Sequence, residues 1–142
     1  MAKSDPTLDK LAQVELFHGM SSHELEAIHE HAKEMTFRAG DVIGAEGERG
    51  GRFHLILDGE VDVDVHGEAR PPLGPGASFG EMSLVDDAPR SATLRAKTDV
   101  RTLSISGFNF RPMLVEHPQI ALKLLQQLSA RLRRVEAASA QH

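Results

Sequence analysis

The chain has no cysteine, no tryptophan and no tyrosine, and its aromatic content is six phenylalanines. Without cysteine there are no disulfides, thiolate metal sites, iron–sulfur ligation or thiol catalysis. No apolar run reaches the roughly 18 residues that span a bilayer. The N-terminus, MAKSDPTLDK, lacks the apolar centre of a secretory signal, so a cytoplasmic setting with no membrane partner is expected. A net charge of −5 denies the whole chain the basic footprint of a nucleic-acid binder. Internal repeats and low-complexity segments are also missing. What is present is ordinary: 40% hydrophobic and 26% charged residues over 142 positions. That suits one domain with its own core, taken as residues 1–142.

Against this background one stretch stands out, Phe79 to Thr93, FGEMSLVDDAPRSAT. Gly80 and Glu81 open what reads as a single helical turn, Met82 to Val85, which Asp86-Asp87-Ala88-Pro89 breaks. Arg90 then stands at the mouth of a strand-like run, Ser91-Ala92-Thr93-Leu94. A glycine lets backbone approach a ligand closely. The first amides of a helical turn point outward and favour an anion. A guanidinium can grip two phosphate oxygens at once. An ionised Glu81 only accepts hydrogen bonds, which suits a sugar hydroxyl. Together these make a nucleotide-sized recognition set. A plainer alternative is that Glu81 and Arg90 pair with each other across a turn.

The flanks fall into three parts. Residues 1–34 read as helical: Asp5-Pro6 starts a short helix through Leu8 and Leu11, and Ser21 with Glu24 forms a capping box for a second. Leu25, Ile28, Ala32 and Met35 continue the second helix at helical spacing. From about residue 35 to 106 the period becomes 2. Asp58-Gly59, between FHLIL and EVDVDV, is a strong hairpin signal. Val61, Val63 and Val65 are expected to point inward, and Glu60, Asp62 and Asp64 outward as a solvated face. Short strands and glycine-rich turns suggest a sandwich, jelly roll or barrel. Residues 107–138 return to helix: a short segment, Phe108 to Leu114, then a long helix from Pro118 to about Ala138. Its seam is expected at Ala121, Leu125, Leu128, Leu132 and Val135, with Ile120 and Leu124 beside it widening the stripe, docking on the β-roll or pairing with a second copy. The fold class is thus α+β, mainly β, an antiparallel β-roll flanked by helices. Eight histidines invite a metal. But His29 and His31 diverge on a helix, and His54 and His66 sit on different strands with no carboxylate cluster, so no metal is expected. A metal-dependent enzyme on a jelly roll is disfavoured for the same reason.

Helices, a β-roll whose late strands bracket FGEMSLVDDAPRSAT, and a long final helix resemble the cyclic-nucleotide-binding domain, the module of protein kinase A regulatory subunits and catabolite-activator regulators. The resemblance runs from about Leu16 to Val135, and AGDVI, EGE and LDGEVDV fall where the family places its strand turns. It implies a non-enzymatic sensor. Glu81 would accept from the ribose 2′-hydroxyl and Arg90 would pair with the cyclic phosphate. Phe79, Gly80, Met82 and Ser83 would form the cradle at the short helix, and Ser91 and Ala92 would add phosphate contacts.

The same resemblance makes cAMP the expected ligand, with cGMP possible, because Ser91 stands where a threonine accompanies cGMP preference. Base contacts would come from Gln127, Leu128 and Arg131. With no tryptophan or tyrosine, a phenylalanine or leucine must replace the aromatic cap of some relatives. Bacterial relatives continue into a helix-turn-helix, but only about seven residues follow Val135. The expectation is therefore a stand-alone sensor without a DNA-binding element, read by an unknown protein effector through its C-terminal helices. The alternative is a ligand-free interaction or dimerisation domain of the same fold.

Overall fold

Ser21 begins the ordered packing of the N-terminal part by closing the capping box: its hydroxyl accepts from the Glu24 amide, and the Glu24 carboxylate accepts from the Ser21 amide. The computed structural model describes residues 6–140, so Asp5 lies outside the described residues. Helix α1 spans Pro6–Ala12, a 3₁₀ turn follows at Glu15–Phe17, and α2 spans Ser22–His29. The expected continuation of α2 through Ala32 and Met35 does not occur. Those residues lie in strand β1, Ala32–Phe37, so His31 is not helical either. Pairing with a distant strand decides this, since each β1 residue from Ala32 to Phe37 faces one from Ile105 back to Val100.

Seven more strands follow: β2 (Val42–Gly44), β3 (Arg52–Asp58), β4 (Val61–Val65), β5 (Glu68–Leu73), β6 (Ser78–Phe79), β7 (Thr93–Ala96) and β8 (Val100–Ser106). They form two antiparallel four-stranded sheets, ordered β1-β8-β3-β6 and β2-β7-β4-β5. With the flanking helices this is the expected α+β, mainly β architecture.

Strand β3 explains why FHLIL is continuously apolar. Phe53, Leu55 and Leu57 pack toward the helices, while Ile56 packs between the sheets with Val61, Phe79, Leu94 and Val100. Both faces of the strand are covered, so the alternation of a half-exposed strand is lost. Both edges of β3 are also occupied, by β8 and β6, and this overrides the Asp58-Gly59 hairpin. The chain instead crosses there from one sheet to the other. Gly59 is left-handed at φ 92°, and a Cβ on it would strike the Asp99 carbonyl. The actual hairpin joins β4 to β5 through His66-Gly67, both at positive φ, so His66 is a turn residue. Val61 is fully buried, Val63 and Val65 half-buried, and Glu60 and Asp62 exposed. Asp64 departs from a purely solvated row, with one carboxylate oxygen buried and unpaired. Strand β5 carries Pro71 and Pro72, which an edge strand tolerates.

Helix α3 (Gly107–Glu116) and helix α4 (Pro118–Ala140) close the described fold. The expected seam of α4 needs correcting. Its docked face is Ile120, Leu124 and Leu128, whereas Leu125, Leu132 and Val135 are about 60% exposed. Ile120, Leu124 and Leu128 turn toward the core, and Leu125, Leu132 and Val135 fall to the side of that face and stay open to solvent. The docked face lies on the N-terminal segment rather than on the β-roll surface. Lys123 Nζ pairs with buried Glu24 at 2.6 Å and donates to Gly19 O at 3.1 Å.

Candidate functional site

Gly80 sets the site. It takes φ 79° immediately before the 3₁₀ turn Glu81–Leu84, and a Cβ there would collide with the Arg52 carbonyl. The turn is thereby pressed against β3, with the Ser83 amide donating to Gly80 O at 3.0 Å. A cavity of about 250 Å³ opens above it. Phe79, Gly80, Glu81, Met82, Ser83, Arg90, Ser91 and Ala92 all line this cavity, and Val63, Leu73, Ala88, Pro89 and Leu94 complete it. The eight residues singled out between Phe79 and Ala92 are therefore brought to one place.

Glu81 and Arg90 do not pair with each other. The Glu81 carboxylate accepts from the Ser78 hydroxyl at 2.6 Å, which fixes its rotamer at the cavity wall. Arg90 Nη2 donates to Arg52 O at 2.8 Å. Among the described residues no carboxylate forms an ion pair with Arg90, although burial lowers its pKa, an effect that the field of Glu48 opposes. A partly desolvated guanidinium anchored by one neutral acceptor keeps its other donors for an anion.

Three glycines make room for this cation. A Cβ on Gly44 would come within 2.5 Å of Arg90 Nε, one on Gly51 within 3.0 Å, and one on Gly80 within 3.3 Å of Nη1. The backbone holds the loop as well: Arg90 N donates to Glu48 O and Gly47 N to Arg90 O, both at 2.8 Å. Asp87 accepts from the Gly50 amide at 2.7 Å. Beneath lies a buried polar row, with His54 Nδ1 2.9 Å from Thr102 Oγ1 and Arg52 Nε donating to Ser104 Oγ at 2.7 Å. The His54 ring stacks on Phe79 at 5.0 Å. Burial, reinforced by the nearby Arg90 and Arg52 charges, pushes the His54 pKa down to about 3. A neutral ring there adds no further positive charge beside the two arginines. None of Gly44, Gly51, Arg52 or His54 stood out in the sequence as a site residue; only glycines in a loop between strands offered a signal.

Gln127, Leu128 and Arg131 are not brought to the cavity. Gln127 Nε2 donates to His18 O at 3.3 Å, Leu128 packs on the main core, and Arg131 pairs with Glu15 at 3.3 Å. Two contacts join the other C-terminal helix to the cradle. A Cβ on Gly107 would collide with Ser83 O, and Arg111 Nη1 donates to that same carbonyl at 3.1 Å. Among the described residues, no three His, Asp or Glu side chains are grouped as a metal ion needs, and no helix is long and apolar enough to cross a membrane.

The family model described as the cyclic nucleotide-binding domain matches residues 34–117, more than half of the sequence and the whole cavity. The chain belongs to that family. A cyclic-nucleotide-binding domain is a regulatory binding module rather than an enzyme, in keeping with the recognition set read from Phe79–Thr93. The chain is 31% identical over 129 residues to the CRP-like cAMP-activated global transcriptional regulator of Mycobacterium tuberculosis, covering 87% of this chain. Among solved structures it resembles the N-terminal domain of a transcriptional regulator from Streptomyces coelicolor A3(2), with TM-score 0.83, 29% identity, and coverage of 92% and 95% of the two chains. It also resembles the catabolite activator protein of Thermus thermophilus, with TM-score 0.70, 28% identity, and coverage of 89% and 62%.

These findings correct the expected partners. The relatives are transcriptional regulators, and the chain spans only 58% of the length of the curated ones it matches. The reading of a stand-alone sensor that excludes nucleic acid and serves a protein effector or a second copy does not stand. That reading rested on the net charge and on the few residues after Val135, and neither reports what a chain matching only part of its relatives acts on.

Proposed function

We propose that the cavity binds cAMP in preference to cGMP and that occupancy is passed on through α3 and α4. Arg90 pairs with the cyclic phosphate, and Glu81 accepts from the ribose hydroxyl. The turn at Gly80–Ser83, with Ser91 and Ala92, completes the cradle. The observation that carries this is the half-buried Arg90 guanidinium, which has no carboxylate ion-pair partner among the described residues and is lodged among three glycines. The name of the mycobacterial relative, a cAMP-activated regulator, supports the choice of nucleotide. For Gln127, Leu128 or Arg131 to meet the base, α4 must release the contacts to His18 and Glu15. We read residues 1–142 as one nucleotide-sensing unit, working in the cytoplasm and governing transcription as its relatives do.

Calorimetric titration of wild type and Arg90→Ala with both nucleotides tests the site. Wild type should bind cAMP more tightly than cGMP. The Arg90→Ala variant should lose about 2–5 kcal/mol, because a desolvated phosphate is left unpaired. Absence of heat with either nucleotide on wild type would overturn the assignment. The signalling half predicts that saturating cAMP changes hydrogen exchange across residues 107–138, and unchanged exchange there would refute it.

A further inference from the structure

Cysteine, tryptophan and tyrosine are absent from the chain, so thioethers are left as its main target for two-electron oxidants. Of the five methionines, Met1 lies outside the described residues. Met113 is buried, 3% exposed, in the main core, and Met20 packs against that core. Met35 is half-buried on β1. Met82 alone among the described methionines is exposed, at 43%, and it lines the cavity between Glu81 and Ser83.

We propose that Met82 is an oxidation-sensitive modification site and that its sulfoxide weakens anion binding in the cavity; the second half rests on the functional reading above. The oxidant belongs to the peroxide class. The sulfur lone pair attacks one peroxide oxygen and the O–O bond breaks. The attacked oxygen bonds to sulfur, and the departing hydroxide takes that oxygen's proton and leaves as water, so sulfur loses two electrons and the peroxide gains them. The product replaces a flexible apolar group with a polar acceptor. Its oxygen carries partial negative charge and has no hydrogen to donate. Turned toward Arg90, it competes with a phosphate for the same donors; turned toward the ligand, it sets acceptor against acceptor. Either orientation lowers affinity. A bound nucleotide should in turn cover the thioether and slow its oxidation.

The full chain treated with dilute hydrogen peroxide, digested, and read by mass spectrometry at each methionine tests the site. Met82 should be converted ahead of Met20, Met35 and Met113, and cAMP should slow that conversion. Equal or slower conversion of Met82 than of Met20 or Met35 overturns the site. Calorimetry with cAMP then tests the consequence: peroxide-treated wild type should bind about tenfold more weakly than untreated, as expected for one opposed acceptor. Methionine sulfoxide reductase with dithiothreitol should restore the affinity. Met82→Leu should bind equally before and after treatment, and unchanged affinity of fully oxidised wild type overturns the consequence. If untreated wild type binds no cyclic nucleotide, the functional reading falls and the consequence with it, while the peroxide mapping still decides the site.

Discussion

The Arg90 guanidinium threads a passage whose walls are main chain and whose floor is a neutral histidine. Gly44 is buried there with no left-handed backbone angle, so Gly44→Ala introduces no backbone strain and simply pushes its methyl into Arg90 Nε. The arginine side chain is long enough to yield. The fold should therefore lose less than about 1 kcal/mol in urea unfolding, while the displaced cation weakens cAMP binding at least about tenfold. His54 gives the pH prediction. Its folded pKa of about 3 lies below the ordinary 6.5, so between those values the unfolded chain holds the extra proton. Stability from this residue is complete above pH 6.5 and declines as pH falls toward 3, by at most about 1.4 kcal/mol per unit. In NMR titration the His54 ring should remain uncharged down to below pH 4. Phe79 to Ala92 were readable in the sequence because they are contiguous and their chemistry is local. Gly44, Gly51, Arg52 and His54 act on Arg90 from far along the chain, and beyond the glycines of a loop between strands nothing in their own surroundings announces it.

Elements that carry their own stop and start signals were equally readable: the capping box of α2, the His117-Pro118 break before α4, and the turn after Gly80. Elements defined by a remote partner were not. Ala32 and Met35 fit a helix until β8 is there to pair with them, and Asp58-Gly59 fits a hairpin until both edges of β3 are taken. Helix α4 is legible in extent and in its apolar stripe, but only packing against the Glu15–Phe17 turn and α3 selects Ile120 and Leu124 over Leu125 as the docked edge of that stripe. The contact between α3 and the turn after Gly80 is the element-scale feature with most consequence for the proposed signalling. Gly107→Ala suits a helix locally but drives a methyl into Ser83 O. It should cost about 1–3 kcal/mol as an overpacked contact. It should also raise hydrogen exchange in residues 107–116 without nucleotide and shrink the further change that cAMP produces.

At the scale of the whole molecule, a ligand that binds the closed β-roll and not the unfolded chain must stabilise everything joined to it. With cAMP at 100 times its dissociation constant the gain is about 2.7 kcal/mol, or roughly 5–10 °C in melting temperature for a chain of this length. A differential scanning measurement should find that shift in wild type and lose most of it in Arg90→Ala at the same nucleotide concentration. Strand β8 has one more consequence. It lies between β1 and β3 and is the neighbour that joins them, yet it is the last of the described strands. During synthesis, β1 and the apolar run Phe53–Leu57 leave the ribosome before residues 100–106 emerge from it. Until then neither has its β8 partner, and both remain open to wrong pairing. A nascent chain halted before Val100 should accordingly be held by chaperones and cut readily by proteases. One released after Ser106 can close the first sheet and, with it, complete the floor beneath Arg90 on which the proposed nucleotide site rests.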